Sequence, residues 1–165
     1  MIKAFSILLA ALFLGVAPIS ASANLLGVTF DNQLISIDTT TGAGSLIGNL
    51  DSEMSAFGLA DYNGSVYTFD QRADLIRQID ISSGDTLNSF DIGIGDIVGE
   101  GSLTFANNGT GYLTTSSDTS GKLYSFDIVT GKSELISDVL GSFDGMDFNN
   151  TGMLYGKRQY PPVSG

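Results

Sequence analysis

Short apolar runs alternate with polar positions along the chain from residue 25 onward. Val, Ile, Leu, Tyr, Phe and Thr dominate these runs, and a period of two with this composition predicts half-buried β-strands. Gly, Asn, Asp and Ser separate the runs at short intervals, so we expect tight turns between the strands. No window has the pattern of a capped amphipathic helix. The pattern therefore predicts an all-β fold.

Two motifs recur with a shared period of about 43 residues. One contains an aspartate before a glycine turn, and it occurs as IDTTTG (37–42), IDISSG (79–84) and FDIVTG (126–131). The other ends in a tyrosine, and it occurs as NGSVY (63–67), NGTGY (108–112) and TGMLY (151–155). The motifs fall at different points of one period, which indicates tandem structural repeats.

Each repeat divides into four predicted strands. The first strands are FGLADY (57–62), GSLTFA (101–106) and DGMDFN (144–149). Asn-Gly after the first strand predicts a tight hairpin, because both residues accept a positive φ. Four antiparallel strands repeated every forty-odd residues are typical of β-propeller blades. A parallel β-helix is the structural alternative, but its coils are shorter and lack hairpins.

The repeats divide the chain into five predicted parts. These are a signal peptide (1–23), a partial blade with strands two to four (24–56), two complete blades (57–100 and 101–143) and the start of a further blade (144–165). About three and a half units result, whereas a closed propeller has at least four blades. We therefore expect the ring to be incomplete and the chain to be a fragment of a longer propeller. Assembly of a ring from several copies through open blade edges is the alternative.

The first 23 residues have the three parts of a secretory signal. Lys3 precedes an apolar run over residues 5–16, and Ala21-Ser22-Ala23 forms a small-x-small cleavage site. The run has about twelve residues and a membrane span needs about twenty, so cleavage is favoured over an uncleaved anchor. The mature protein is expected to begin near Asn24, to lack a membrane span and to be secreted or periplasmic.

The composition excludes several classes of partner and of catalytic site. The net charge is −11, and it becomes about −12 when Lys3 is removed with the signal. An acidic surface of this kind repels nucleic acids and anionic lipids, so neither is an expected partner. The chain contains no cysteine and no histidine, which excludes disulfides, the usual zinc ligands and the standard serine or cysteine triads.

The stretch GLADYNGSVY…LIRQIDISSGDTL and its echo GMDFNNTGMLYG resemble secreted bacterial β-propeller repeats. In particular, they are similar to the YVTN and quinoprotein-dehydrogenase-like propellers, over nearly all of residues 25–158. The resemblance implies a propeller fold. Members include dehydrogenases, lyases, lactonases and scaffold proteins, and the shared motifs specify turns and packing rather than a reaction.

Two carboxylates of the predicted first strands, Asp61 and Asp147, are candidate ligand-binding or channel-facing residues. The first strand of a propeller blade lies nearest the central channel, where a polar ligand or an ion binds. The structural alternative is that both side chains accept hydrogen bonds from turn amides.

The loop DIGIGDIVGEG (91–101) is a candidate calcium site. Asp91, Asp96 and Glu100 supply hard oxygen ligands on a flexible backbone, which is the chemistry that calcium requires. Their spacing differs from that of the helix-loop-helix calcium loop. A solvated loop between blades is therefore the favoured interpretation, and calcium is the alternative. The repeated aspartates Asp38, Asp80 and Asp127 are expected to cap their hairpin turns.

These patterns predict an exported propeller-type binding or scaffold module without catalytic residues of its own and without a bound cofactor, calcium excepted. The ligand, a protein or a small molecule, is not specified by the sequence. The alternative is an N-terminal fragment of a propeller enzyme, either a calcium-dependent hydrolase or a quinoprotein-like oxidoreductase, whose active site requires further blades. The sequence leaves the question of enzymatic activity open but favours a non-enzyme.

Overall fold

The computed structural model describes residues 24–94, 101–116, 121–139 and 143–158. These residues form 13 β-strands and no helix, which confirms the predicted all-β class. Every strand pair is antiparallel and joins strands that are consecutive in the chain. No helix of the described residues is long and apolar enough to span a bilayer. The predicted signal peptide, 1–23, lies outside the described residues.

The strands form four sheets in chain order. The first sheet consists of β1 (Asn24–Val28), β2 (Gln33–Asp38) and β3 (Gly44–Asn49). The second consists of β4 (Ala56–Tyr62), β5 (Ser65–Asp70), β6 (Leu75–Ile79) and β7 (Thr86–Asp91). The third consists of β8 (Ser102–Phe105), β9 (Gly111–Ser116), β10 (Gly121–Asp127) and β11 (Lys132–Val139). The fourth consists of β12 (Phe143–Phe148) and β13 (Leu154–Arg158).

The hairpin after the first strand of each repeat differs between sheets. Asn63 and Gly64 have φ angles of 51° and 75° and form a two-residue loop, as the Asn-Gly pair predicts. The next two hairpins have three-residue loops that end at Gly109 (φ 91°) and Gly152 (φ 78°). In these longer loops only the last residue has a positive φ, whereas both residues of the two-residue loop do. A tight hairpin therefore follows the first strand in all three sheets, with a two-residue loop in the second sheet and three-residue loops in the third and fourth.

Apolar side chains fill the spaces between neighbouring sheets. One cluster lies between the first two sheets and is built from Leu34, Leu50, Met54 and Ile79. A larger, partly aromatic cluster lies between the second and third sheets, where Phe105 packs against Tyr67 and Phe126 with ring centroids 5.2 and 5.5 Å apart. Each sheet thus buries a face that it cannot bury alone.

Neighbouring sheets also contact one another along their first strands. β4 lies beside β8, and β8 lies beside β12. We call β4, β8 and β12 the inner strands. The first sheet has no inner strand within the described residues, and β1 lies beside β4 instead. The four sheets form an arc, and the described residues do not close it into a ring.

Candidate functional site

A polar depression of about 350 Å³ lies over the inner strands and the loops that follow them. Three sheets contribute to it, because β4, β8 and β12 each bring one segment of its wall. Its polar lining consists of Asp61, Thr104, Asn107, Asp147, Asn149 and Asn150. No lysine or arginine lines it. The depression therefore combines carboxylates, amides and a hydroxyl without a compensating positive charge.

Asp61 lies near the end of β4 and is exposed. Its backbone pairs with Val66 of β5, which fixes its position next to the Asn63-Gly64 hairpin. Within the described part of the chain its carboxylate makes no hydrogen bond and no ion pair. Asp61 therefore does not cap a turn among the described residues, and its carboxylate faces solvent.

Asp147 lies on β12 and is partly engaged by its surroundings. Its Oδ1 accepts a hydrogen bond from the backbone N–H of Phe148 at 2.8 Å and one from Thr104 Oγ1 at 3.5 Å. Thr104 is buried on the neighbouring inner strand, so this contact joins the third and fourth sheets. The second carboxylate oxygen has no hydrogen-bond partner among the described residues.

The two candidate carboxylates occupy neighbouring rather than equivalent positions of the repeat. Ala60 pairs with Tyr67, Thr104 with Tyr112 and Asp147 with Tyr155. Asp147 thus corresponds to Ala60 and Thr104, whereas Asp61 is one position further along. Because successive side chains of a strand point to opposite faces, the two carboxylates enter the depression from different faces of their strands.

Asn107, Asn150 and Thr104 belong to the site, although the sequence did not single them out. Threonine is common in strands and asparagine is common in turns, so none of the three stands out in the sequence. Alignment of the three inner strands by their tyrosine partners does place Thr104 at the position of Asp147. Alignment of the repeats could therefore have identified Thr104 as a residue of the site.

The proposed calcium loop lies largely outside the described residues. Asp91 ends β7, and its Oδ1 accepts the backbone N–H of Gly93 at 2.7 Å. Asp96 and Glu100 fall in the part of the chain that is not described. Within the described ranges no three acidic side chains converge in a way suited to a metal ion. Calcium binding by this loop stays a prediction.

The repeated aspartates cap their hairpins, as expected. Asp38 accepts the backbone N–H of Thr40 at 2.7 Å, and Asp127 accepts that of Val129 at 2.7 Å. Asp80 accepts both the N–H and the hydroxyl of Ser82. These hydrogen bonds stabilise the ionised form and lower the pKa of all three carboxyls. Their function is structural.

The fold is similar to those of solved propeller-like proteins. A chain in the crystal structure of a nidogen/laminin complex superposes with a TM-score of 0.57 at 14% identity, over 79% of this chain and 50% of that one. Virginiamycin B lyase from Staphylococcus aureus gives a TM-score of 0.47 at 9% identity, over 88% of this chain and 59% of the lyase chain. No protein-family model and no curated protein matches the sequence.

The likeness to the nidogen/laminin structure, together with the four sheets, defines a β-propeller-type fold with an unclosed ring. This chain spans about half the length of that structure. The identities are low, so the likeness concerns the fold and not the function. The finer resemblance to the YVTN and quinoprotein-dehydrogenase-like repeats stays a prediction.

Proposed function

We propose that the protein is an exported, non-catalytic binding module that engages a positively charged segment of a partner at the depression over the inner strands. One observation carries this proposal: Asp61 and Asp147 come from two different sheets into one depression, and no basic residue lines it. A cationic side chain supplies the charge that this lining lacks. The net charge of −11 adds long-range attraction for such a partner.

Each wall of the depression has a part in this function. The carboxylate of Asp61 is free to accept hydrogen bonds from an ammonium or guanidinium group. Asp147 is held in place by Thr104 and offers its second oxygen. The amides of Asn107 and Asn150 line the same depression, so they are in place to bind backbone groups of the partner. The proposed export depends on the signal sequence. N-terminal sequencing of the exported protein tests it, and the expected first residue is Asn24.

Titration of the protein with tetralysine, followed by calorimetry at low ionic strength, tests the binding site. Asp61→Asn and Asp147→Asn are each expected to weaken binding about two- to fivefold, as exposed ion pairs do. Asp138→Asn is the matched control, because it removes the same charge from an exposed position on β11. We expect that control to bind like the parent protein.

Two results would contradict the proposal. Equal weakening by all three substitutions would mean that the whole acidic surface, rather than the depression, attracts the peptide. No heat of binding up to about 1 mM tetralysine would also reject a cation site of useful affinity.

A further inference from the structure

The chain contains two Asn-Gly pairs, and both lie in hairpins that follow an inner strand. Asn63-Gly64 follows β4, and Asn108-Gly109 follows β8. Ser65 and Thr110 come next, so the local sequences Asn-Gly-Ser and Asn-Gly-Thr are nearly the same. Both asparagines are exposed. The structure nevertheless gives the two pairs different surroundings.

An Asn-Gly pair can lose its side-chain amide without an enzyme. The backbone nitrogen of the glycine gives up its proton to water or hydroxide and attacks Cγ of the asparagine. A C–N bond forms there, and the amide nitrogen takes up a proton and leaves as ammonia. Water then opens the resulting succinimide ring to aspartate or to its β-linked isomer, isoaspartate. Glycine favours the reaction because no side chain shields its nitrogen or restricts its rotation.

Asn63 and Gly64 have no contacts that oppose this reaction. Among the described residues, neither the backbone N–H of Gly64 nor the side chain of Asn63 makes a hydrogen bond. A Cβ atom built on Gly64 would have no neighbour within 4 Å, so the glycine lies in open space. The attacking nitrogen and the carboxamide are therefore both free to rotate toward each other.

Asn108 and Gly109 are held in place by three contacts. The backbone N–H of Gly109 donates to the carbonyl of Ala106 at 2.9 Å. Asn108 Oδ1 accepts the backbone N–H of Thr110 at 3.0 Å. A Cβ atom on Gly109 would lie 2.5 Å from the hydroxyl oxygen of Tyr62, so Tyr62 packs directly on this glycine. The three-residue loop thus keeps the attacking nitrogen and the carboxamide engaged.

We propose that Asn63 is a site of spontaneous deamidation in the folded protein, and that the hairpin after β8 protects Asn108 from the same reaction. The fold, rather than the Asn-Gly sequence, selects the modified residue. The aspartate product keeps the hairpin, because Asp-Gly also suits a two-residue loop. The isoaspartate product adds one carbon atom to the backbone of the loop and disturbs the pairing of Tyr62 with Ser65.

The reaction also changes the charge beside the depression. Asn63 lies two residues after Asp61, which lines the depression, and deamidation replaces a neutral amide by a carboxylate. This consequence rests on the proposed function. The added negative charge is expected to tighten tetralysine binding about twofold, as an exposed charge does. The affinity of the site then depends on the age of the protein molecule.

Incubation of the folded full chain at mildly alkaline pH, followed by tryptic digestion and mass spectrometry, tests the proposal. Asn63 lies in the peptide that ends at Arg72, and Asn108 lies in the peptide that ends at Lys122, so the two are measured separately. Fragment spectra locate each converted residue by its change in mass. We expect Asn63 to convert about tenfold faster than Asn108 or more, because two hydrogen bonds must break at Asn108 first.

Two controls separate the effect of the fold from that of the sequence. In concentrated urea the hairpins are lost, so the two asparagines are expected to convert at similar rates. Asn63→Gly is the matched variant, because glycine accepts the positive φ of this position and has no carboxamide. This variant should fold like the parent protein and should not acquire the acidic form that the parent acquires during incubation.

The proposal is overturned if Asn108 converts as fast as Asn63 in the folded chain, or if Asn63 stays unmodified there while both convert in urea. A difference that persists unchanged in urea would also overturn it, because the local sequence would then be the cause. Mass spectrometry does not depend on tetralysine, so the modification site stands even if the proposed function fails. If Asn63→Asp binds tetralysine like the parent while Asp61→Asn weakens binding, the charge effect is rejected and the proposed function is retained.

Discussion

A single buried aspartate, Asp70, connects the end of β5 with β6 and the loop before β4. It is 1% exposed, and its Oδ2 accepts hydrogen bonds from Arg77 Nε at 3.2 Å and from an Arg77 terminal nitrogen at 2.7 Å. Its Oδ1 accepts the backbone N–H of Ser55 at 3.2 Å. Arg77 also donates to Ser89 Oγ at 2.7 Å. Asp70 thus holds three segments of the second sheet together.

Asp70→Ala is expected to lower the free energy of unfolding by about 3–5 kcal/mol, because it leaves the Arg77 charge partly buried without its partner. Glu53→Ala is the control. Glu53 also pairs with an arginine, Arg72, but both side chains are exposed, so a loss below about 1 kcal/mol is expected. Urea unfolding measures both values. Similar losses in the two variants would mean that burial of the Asp70–Arg77 pair has no energetic consequence.

The hairpin aspartates should make stability depend on pH in acid. The pKa of Asp38 and of Asp127 is lowered chiefly by backbone N–H donors, and that of Asp80 chiefly by the Ser82 hydroxyl. In the unfolded chain these carboxyls have a pKa of about 3.8–3.9, and in the folded protein their pKa is lower. Their ionised form therefore stabilises the fold, and this contribution is fully present above the unfolded pKa. The contribution is lost as the pH falls from the unfolded pKa through the lower folded pKa.

We therefore expect the melting temperature to fall less steeply below pH 4 when Asp38, Asp80 and Asp127 are all replaced by asparagine. Asparagine keeps an oxygen acceptor for the turn amides but does not titrate. Melting curves from pH 7 to pH 3 compare the triple variant with the parent. Parallel curves over that interval would show that the capping carboxylates do not contribute to the acid sensitivity.

At the scale of the strand, the same repeat position has a different environment in each sheet. Tyr67 is 6% exposed between the second and third sheets and packs on Phe105. Tyr112 packs on Phe148 with ring centroids 5.3 Å apart. Tyr155, the next in the series, is 56% exposed. The difference comes from the neighbouring sheet, because the local sequence is similar in all three.

Tyr67→Ala is expected to cost about 3 kcal/mol of unfolding free energy, in the range for large-to-small changes in a core. Tyr155→Ala should change it by less than about 0.5 kcal/mol, as surface substitutions do. Chemical denaturation of the two variants provides the comparison. An equal cost at Tyr155 would indicate that its face is covered in solution.

The strands and their turns were predictable because their causes are local. Alternation in FGLADY and the Asn63-Gly64 pair determine a strand and a hairpin within a few residues, and β4 and β5 form there. The depression was predicted only through its two carboxylates. Thr104 and Asn107 join Asp61 and Asp147 because three strands, each about 43 residues apart in the chain, lie side by side. No local pattern specifies that arrangement.

At the scale of the molecule, the repeat period predicted how the sheets follow one another and that blade edges are left open, but not which side chains lie exposed on the uncovered surfaces. Exposure of Phe30 beside burial of Phe69 follows from the sheets around them, although the two lie in the same Thr-Phe-Asp motif. The acidic charge is likewise a property of the whole chain, whereas its effect on a partner depends on where Asp61 and Asp147 lie.

The consecutive order of the paired strands has a consequence for how the polypeptide acquires its structure. Every hairpin joins neighbours in the chain, so the entropy lost in closing each loop is small. Long-range pairing of distant segments, which slows the folding of many β-proteins, is not needed within any of these sheets. Each sheet can therefore form early in folding, and the next sheet can then pack against it.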